Sequence, residues 1–167
     1  FGADLAREKK PKLSLGFSYD FNHQASRVGG RLGNFITNDN GDYINSDLTT
    51  MIGDLMFKYQ GFSMMAEFAR KKSSERALGF ASGTAVVGQM GYIINAQNFK
   101  NFELAFRYTK VNPDSGSSLS EIAEYTVGVS KYFLKHSLKL QSDISLQETS
   151  GSNHLNLIYR IQSEFAF

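Results

Sequence analysis

KLSLGFSYDFN, residues 12–22, alternates apolar and polar positions without a break. Leu13, Leu15, Phe17, Tyr19 and Phe21 share one face, and Ser14, Gly16, Ser18 and Asp20 share the other. A period of two marks a β-strand with chemically different faces, because successive side chains leave a strand on opposite sides. Working outward, the same test predicts strands near 12–22, 48–59, 61–72, 85–96, 101–111, 122–133, 137–148 and 154–167. Each comes close to the roughly 9 to 11 residues that a tilted strand needs to cross a bilayer.

Composition points the same way. The 167 residues include 14 Phe, 8 Tyr and 15 Gly but only 2 Pro, a mix that suits pleated surfaces and tight turns. With 41% hydrophobic residues the chain can bury a core, which argues against disorder. A net charge of +2, from 18 Lys+Arg against 16 Asp+Glu, is too small and too scattered to single out nucleic acid as a partner. The absence of Cys removes disulfides, zinc–thiolate sites and a thiol nucleophile. No stretch approaches the roughly 18 to 20 apolar residues of a membrane-spanning helix. The opening FGADLAREKKPK has no apolar core of a signal peptide, and its REKKPK run reads as a solvated turn before the first strand.

Connectors alternate in length. Those at 23–47, 73–84, 112–121 and 149–153 are longer or richer in Gly, Ser and Asn, whereas those near 59–61, 97–100 and 134–136 are short. Such alternation is expected of an up-and-down meander with one end at the cell exterior and the other in the periplasm. The expectation is one all-β domain over residues 1–167, a transmembrane antiparallel β-barrel or half of one, with a long outer loop at 23–47.

Alternation alone leaves open whether the apolar face looks into a soluble core, as in a sandwich or a lipocalin-like barrel, or out into lipid. Three features favour lipid. Tyr19, Phe21, Phe57, Tyr59, Phe62, Phe102, Tyr108, Tyr125, Phe133, Phe165 and Phe167 fall at strand ends of the apolar face, as the aromatic girdles of a bilayer interface do. The opposite face carries Asp20, Asp54, Lys58, Glu67, Lys71, Glu103, Arg107, Lys139, Gln141, Asp143, Arg160, Gln162 and Glu164, too many ions for a dry core. Third, LNLIYRIQSEFAF, residues 155–167, is an amphipathic terminal strand with Tyr159, Phe165 and a final Phe167. It resembles the C-terminal strand by which outer-membrane barrels are handed to their assembly machinery.

The stretches DLMFKYQGFSMMAEFARKK (54–72), GQMGYII (88–94), NFELAFRYTKVNPD (101–114) and EYTVGVSKYFLKHSLKLQSDIS (124–145) together resemble the C-terminal half of the phosphate-selective porin O and P family. The shared features are a strand, a tight Tyr-x-Gly-Phe-Ser turn, a returning strand with an inward Glu, and later a Tyr-Thr-x-Gly strand before a short turn. The resemblance implies a barrel of about sixteen strands, of which this chain is the last half. It also implies a homotrimer in the outer membrane of a Gram-negative bacterium, surrounded by its lipids, passing small hydrophilic solutes or anions, phosphate among them, by passive diffusion without a cofactor. The family's constricting loop and much of its basic ladder belong to earlier strands, so phosphate selectivity does not carry over.

The expected lumen face holds Lys12, Lys58, Lys71, Arg107, Lys139 and Arg160 against Asp20, Asp54, Glu67, Glu103, Asp143 and Glu164. In a wide pore these rows set a transverse field over the solute's path; the plainer alternative is that they pair with one another as wall residues. Arg107, Lys139 and Arg160 are the candidates for anion contact, since their strands lie together and Arg presents a planar, always charged fork. Arg27 and Arg31, among Gly29, Gly30 and Gly33, could draw anions to the outer mouth. GGRLGNF lacks the Lys-Ser/Thr ending of a phosphate-cradling loop. NDNGDYINSD offers Asn38, Asp39, Asn40, Asp42 and Asp47 as Ca²⁺ ligands but departs from EF-hand spacing, and an Asn-Gly turn is the simpler reading. His23, His136 and His154 stand alone at expected strand ends and turns. No nucleophile-elbow motif is present, so neither a catalytic set nor a metal centre is expected. A competing reading makes the chain a complete eight-stranded barrel with a plugged polar interior, structural or adhesive through its loops.

Overall fold

The computed structural model describes residues 3–27, 33–75, 80–97, 99–115, 119–152 and 154–166. Arg31, Gly29, Gly30 and Phe167 lie outside them. Eight strands follow one another: β1 (Lys12–Ala25), β2 (Ser46–Tyr59), β3 (Phe62–Ser73), β4 (Gly83–Ala96), β5 (Phe99–Pro113), β6 (Ile122–Leu134), β7 (Leu138–Thr149) and β8 (Asn156–Phe165). They form one antiparallel up-and-down sheet in sequence order. β1 and β8 are its edges and do not pair with each other, so the sheet is open. Every strand expected from the alternation is present. β1 outruns its expected end, continuing to Ala25 through a register shift after Asn22, where Gln24 takes a φ of 50°.

Register keeps the residues of each face in line from strand to strand. On one, Leu15 sits opposite Leu55 and Leu55 opposite Ala66; on the other, Gly16 faces Asp54 and Asp54 faces Glu67. Further along, Phe106, Val127 and Ile144 are neighbours on the apolar face, while Arg107, Thr126 and Ser145 are neighbours on the polar one.

Burial is the reverse of a soluble domain's. Phe17 is 74% exposed and Leu157 69%, whereas Ser145 is 0%, Thr126 7% and Glu103 7% exposed. The reason is curvature. Lys58 of β2 and Lys139 of β7 line one hollow of about 160 Å³, although strands that far apart in a flat sheet would stand roughly 24 Å from each other. The polar face is therefore concave and the apolar face convex.

At the short-turn end, Gln60 and Gly61 join β2 to β3 with φ of 50° and 90°. Positive φ at both central residues is the type I′ geometry whose twist matches a two-residue hairpin. A Cβ on Gly61 would also lie 2.7 Å from Arg7 Nη1. Gly61→Ala is expected to cost about 1–2 kcal/mol, read as a lower urea midpoint with an unchanged slope.

The REKKPK run is a solvated turn over residues 9–12, as expected, but not throughout. Lys9, Lys10 and Pro11 are exposed, but Arg7 and Glu8 are half-buried, and Ala3 and Asp4 just before them are buried. At the long-loop end, Ile36, Leu48 and Phe80 form a small core with Ala25 and Ile44. Arg70 of β3 meets Asp114 beyond β5 in a two-pronged ion pair at 2.7 and 2.8 Å. The 23–47 loop carries the expected turn: Asn38 Oδ1 accepts from the Asn40 and Asp42 backbone N–H groups at 3.0 and 2.9 Å, and Gly41 has a φ of 86°.

Candidate functional site on the concave face

Strand parity delivers the expected polar residues to one surface. Lys12, Asp20, Asp54, Lys58, Glu67, Lys71, Glu103, Arg107, Lys139, Asp143, Arg160 and Glu164 all fall on the concave side of the register. They do not form one continuous site. Some fall into two groups of hydrogen bonds and ion pairs, Lys12 pairs with Glu8 and Asp20 accepts from Asn22, and the remaining residues have no such tie.

The first network is centred on Arg160 of β8. Its Nε donates to Asp143 Oδ1 at 2.8 Å, and its Nη2 donates to Ser145 Oγ at 2.5 Å and Glu124 Oε1 at 3.4 Å. Ser145 and Thr126 share a hydroxyl contact at 2.7 Å, and Thr126 Oγ1 donates to Glu124 Oε1 at 3.2 Å. The arrangement closes a ring across β6, β7 and β8 in which one cation serves two carboxylates. Charge-assisted bonds of this kind hold a guanidinium in a fixed plane.

The second group, of two separate pairs, lies near the short turns. Lys139 Nζ pairs with Glu164 Oε2 at 2.9 Å, and the Tyr132 hydroxyl donates to Glu103 Oε2 at 2.6 Å. Gly91 makes room for this pair: a Cβ there would collide with the Glu103 carboxylate. Tyr132→Phe leaves a buried carboxylate oxygen without its donor and is expected to cost about 1–3 kcal/mol, measured by chemical denaturation. His136, in the turn after β6, packs edge-on against Tyr132 with ring centroids 5.6 Å apart. Burial, then the nearby Lys58 and Lys139 charges, hold its imidazole below the usual histidine range.

Of the three candidates for anion contact, Lys139 and Arg160 are thus engaged by carboxylates. Among the described residues, Arg107 has no ion pair or side-chain hydrogen bond, and the same is true of Lys58, Lys71, Asp54 and Glu67. Arg107 borders a hollow of about 160 Å³ with Gln89, Gln141, Asp143, Arg160 and Gln162, floored by Ala105 and Gly128. The small floor residues leave the room, and the amides can donate or accept.

In the loop after β1, Arg27 lies over the Phe35 ring at 3.9 Å. Asp47 is taken by His23 Nδ1 at 2.9 Å and the Gln24 backbone N–H at 2.8 Å, and no group of three or more His, Asp or Glu converges among the described residues. On the convex side, Tyr159 accepts from Ser142 Oγ at 3.1 Å, and Phe165 is exposed. The aromatic pairs Phe57–Phe62 and Phe99–Phe102 sit at the short-turn end, and Tyr108–Tyr125 toward the other.

Sequence reasoning missed Tyr132, whose parity in β6 places it beside Lys139 on the polar face and could have revealed it. It also missed Asp4, for which no periodic signal exists. No family model, curated protein or solved structure matches the chain.

Proposed function

We propose that this chain forms part of the wall of an outer-membrane porin, through which small hydrophilic solutes, anions among them, diffuse passively. The observation that carries the reading is the inverted burial, with apolar side chains on the convex outside and ions on the concave inside. Lipid accepts such a convex surface, and a water-filled lumen accepts such a concave one. Aromatic pairs toward both ends of the convex face support placing the headgroup regions there. The terminal strand with Tyr159 and Phe165 would engage the barrel-assembly machinery, and a homotrimer is the assembly that the family resemblance implies.

Backbone groups on the free edges of β1 and β8 have no partner that a hydrocarbon layer could supply. This supports a wall continued by further strands over a closed eight-stranded barrel. The charge balance on the concave face argues for weak rather than strict anion preference.

The test is the intact mass of the unheated, detergent-extracted protein, with planar-bilayer conductance on the same sample. A mass well above that of 167 residues with large, stable steps is the expected result. A mass equal to this chain's, with no steps, would overturn the porin reading in favour of a plugged small barrel acting through its loops.

A further inference from the structure

We propose that residues 3–8 form a fixed constriction across the short-turn mouth of the passage, latched by Asp4 and Arg7 and framed by Lys58, Glu103 and Lys139. The proposal rests on the porin reading and names the element that limits solute size within it.

The segment runs back from the start of β1 across the ends of its neighbours. At the β2–β3 turn, the Gln60 N–H donates to the Glu8 carbonyl at 3.0 Å, and the Gly61 N–H donates to Asp4 Oδ2 at 2.8 Å. The same carboxylate takes the Glu8 N–H at 3.0 Å, which folds the segment back on itself. Arg7 Nη1 donates to the Ile93 carbonyl at the end of β4 at 3.0 Å, with its guanidinium 5.7 Å from the Tyr92 ring centre. Ala3 packs with Ile93 and with Tyr132 of β6, and Leu5 joins them.

Ala3 lies on the concave face, beside Ile93 and Tyr132, while Arg7 reaches the rim next to Tyr92 of the convex face. Ala3 is 4% exposed and Asp4 2%, and Ala3 lines the same hollow as Lys58, Glu103, Lys139 and Gln141. A buried carboxylate whose hydrogen bonds are all to backbone N–H groups fixes geometry, since its loss leaves the Gly61 donor without a partner. Polar contacts of Asp4, Arg7 and Glu8 at the β2–β3 turn and the end of β4, and the apolar contact of Ala3 with Ile93 and Tyr132, make this a brace rather than a loose tail.

The experiment uses the full-length protein extracted from its native membrane and reconstituted in planar bilayers. Releasing the latch with the double substitution Asp4→Ala and Arg7→Ala is expected to raise single-channel conductance roughly 1.5- to 2-fold. A second variant covers the case in which the first does not assemble. Because these 167 residues contain no cysteine and Ala6 of the segment is exposed, Ala6→Cys can be labelled with a bulky methanethiosulfonate reagent, with the reagent-treated wild type as control. Labelling is expected to lower conductance to roughly half or less when the reagent is added from the short-turn side. Normal wild-type steps with no change once Ala6→Cys is shown by mass to be labelled would overturn the constriction and leave the porin reading standing. Absence of steps in the wild type would remove both.

Discussion

Val127→Arg is expected to lower the unfolding free energy of the bilayer-inserted protein by about 2–4 kcal/mol. Val127 lies midway along β6 on the convex face, 54% exposed, with Phe106 and Ile144 as its cross-strand neighbours. A guanidinium there has no carboxylate beside it and must either enter hydrocarbon or distort the lipid around it. The measurement is urea-induced unfolding from phospholipid vesicles, followed by tyrosine fluorescence or by the heat-dependent gel shift. If water covered this face, the same change would move stability by no more than about 0.5 kcal/mol. Lipid and water therefore predict clearly different outcomes, which makes this substitution a direct test of the convex face's environment.

Arg107→Glu is expected to cut the anion-to-cation permeability ratio roughly fivefold, equivalent to about 1 kcal/mol along the ion's path beside it. Arg107 is the concave-face arginine whose charge no carboxylate engages among the described residues, and it borders an open hollow. The reversal changes the local charge by two units, and salt limits its reach to about 10 Å at 0.1 M. Reversal potentials in a salt gradient read the ratio directly. Arg107→Gln is expected to give about half the shift on a logarithmic scale, since it removes one unit rather than two. An unchanged ratio in both variants would mean that ions do not pass near this side chain.

The strands and their faces were legible because the pleat imposes its period on the side chains whatever the tertiary context. Leu13 to Phe21 reported that period without ambiguity, and the register then carried it across the sheet. Charge partners were not legible in the same way. Arg160 reaches Glu124 two strands away, a diagonal contact set by curvature and side-chain length, neither of which alternation encodes. The rows of opposite charge could therefore be counted but not paired. Asp4 is the extreme case, since it lies where the chain has no period and its role depends on a turn more than fifty residues later. Tyr132 stands between these cases, with its face readable from parity and its bond to Glu103 not.

In this meander each strand's backbone pairs only with the strands before and after it in the chain. A hairpin can therefore be duplicated or deleted without breaking the backbone ladder anywhere except at the insertion point. Under the porin reading, circumference becomes a heritable quantity that changes in steps of one hairpin, because barrel diameter rises with strand number. Side-chain substitutions on the concave face could then refine what passes, while gene-level copying of hairpins would set how wide the opening is.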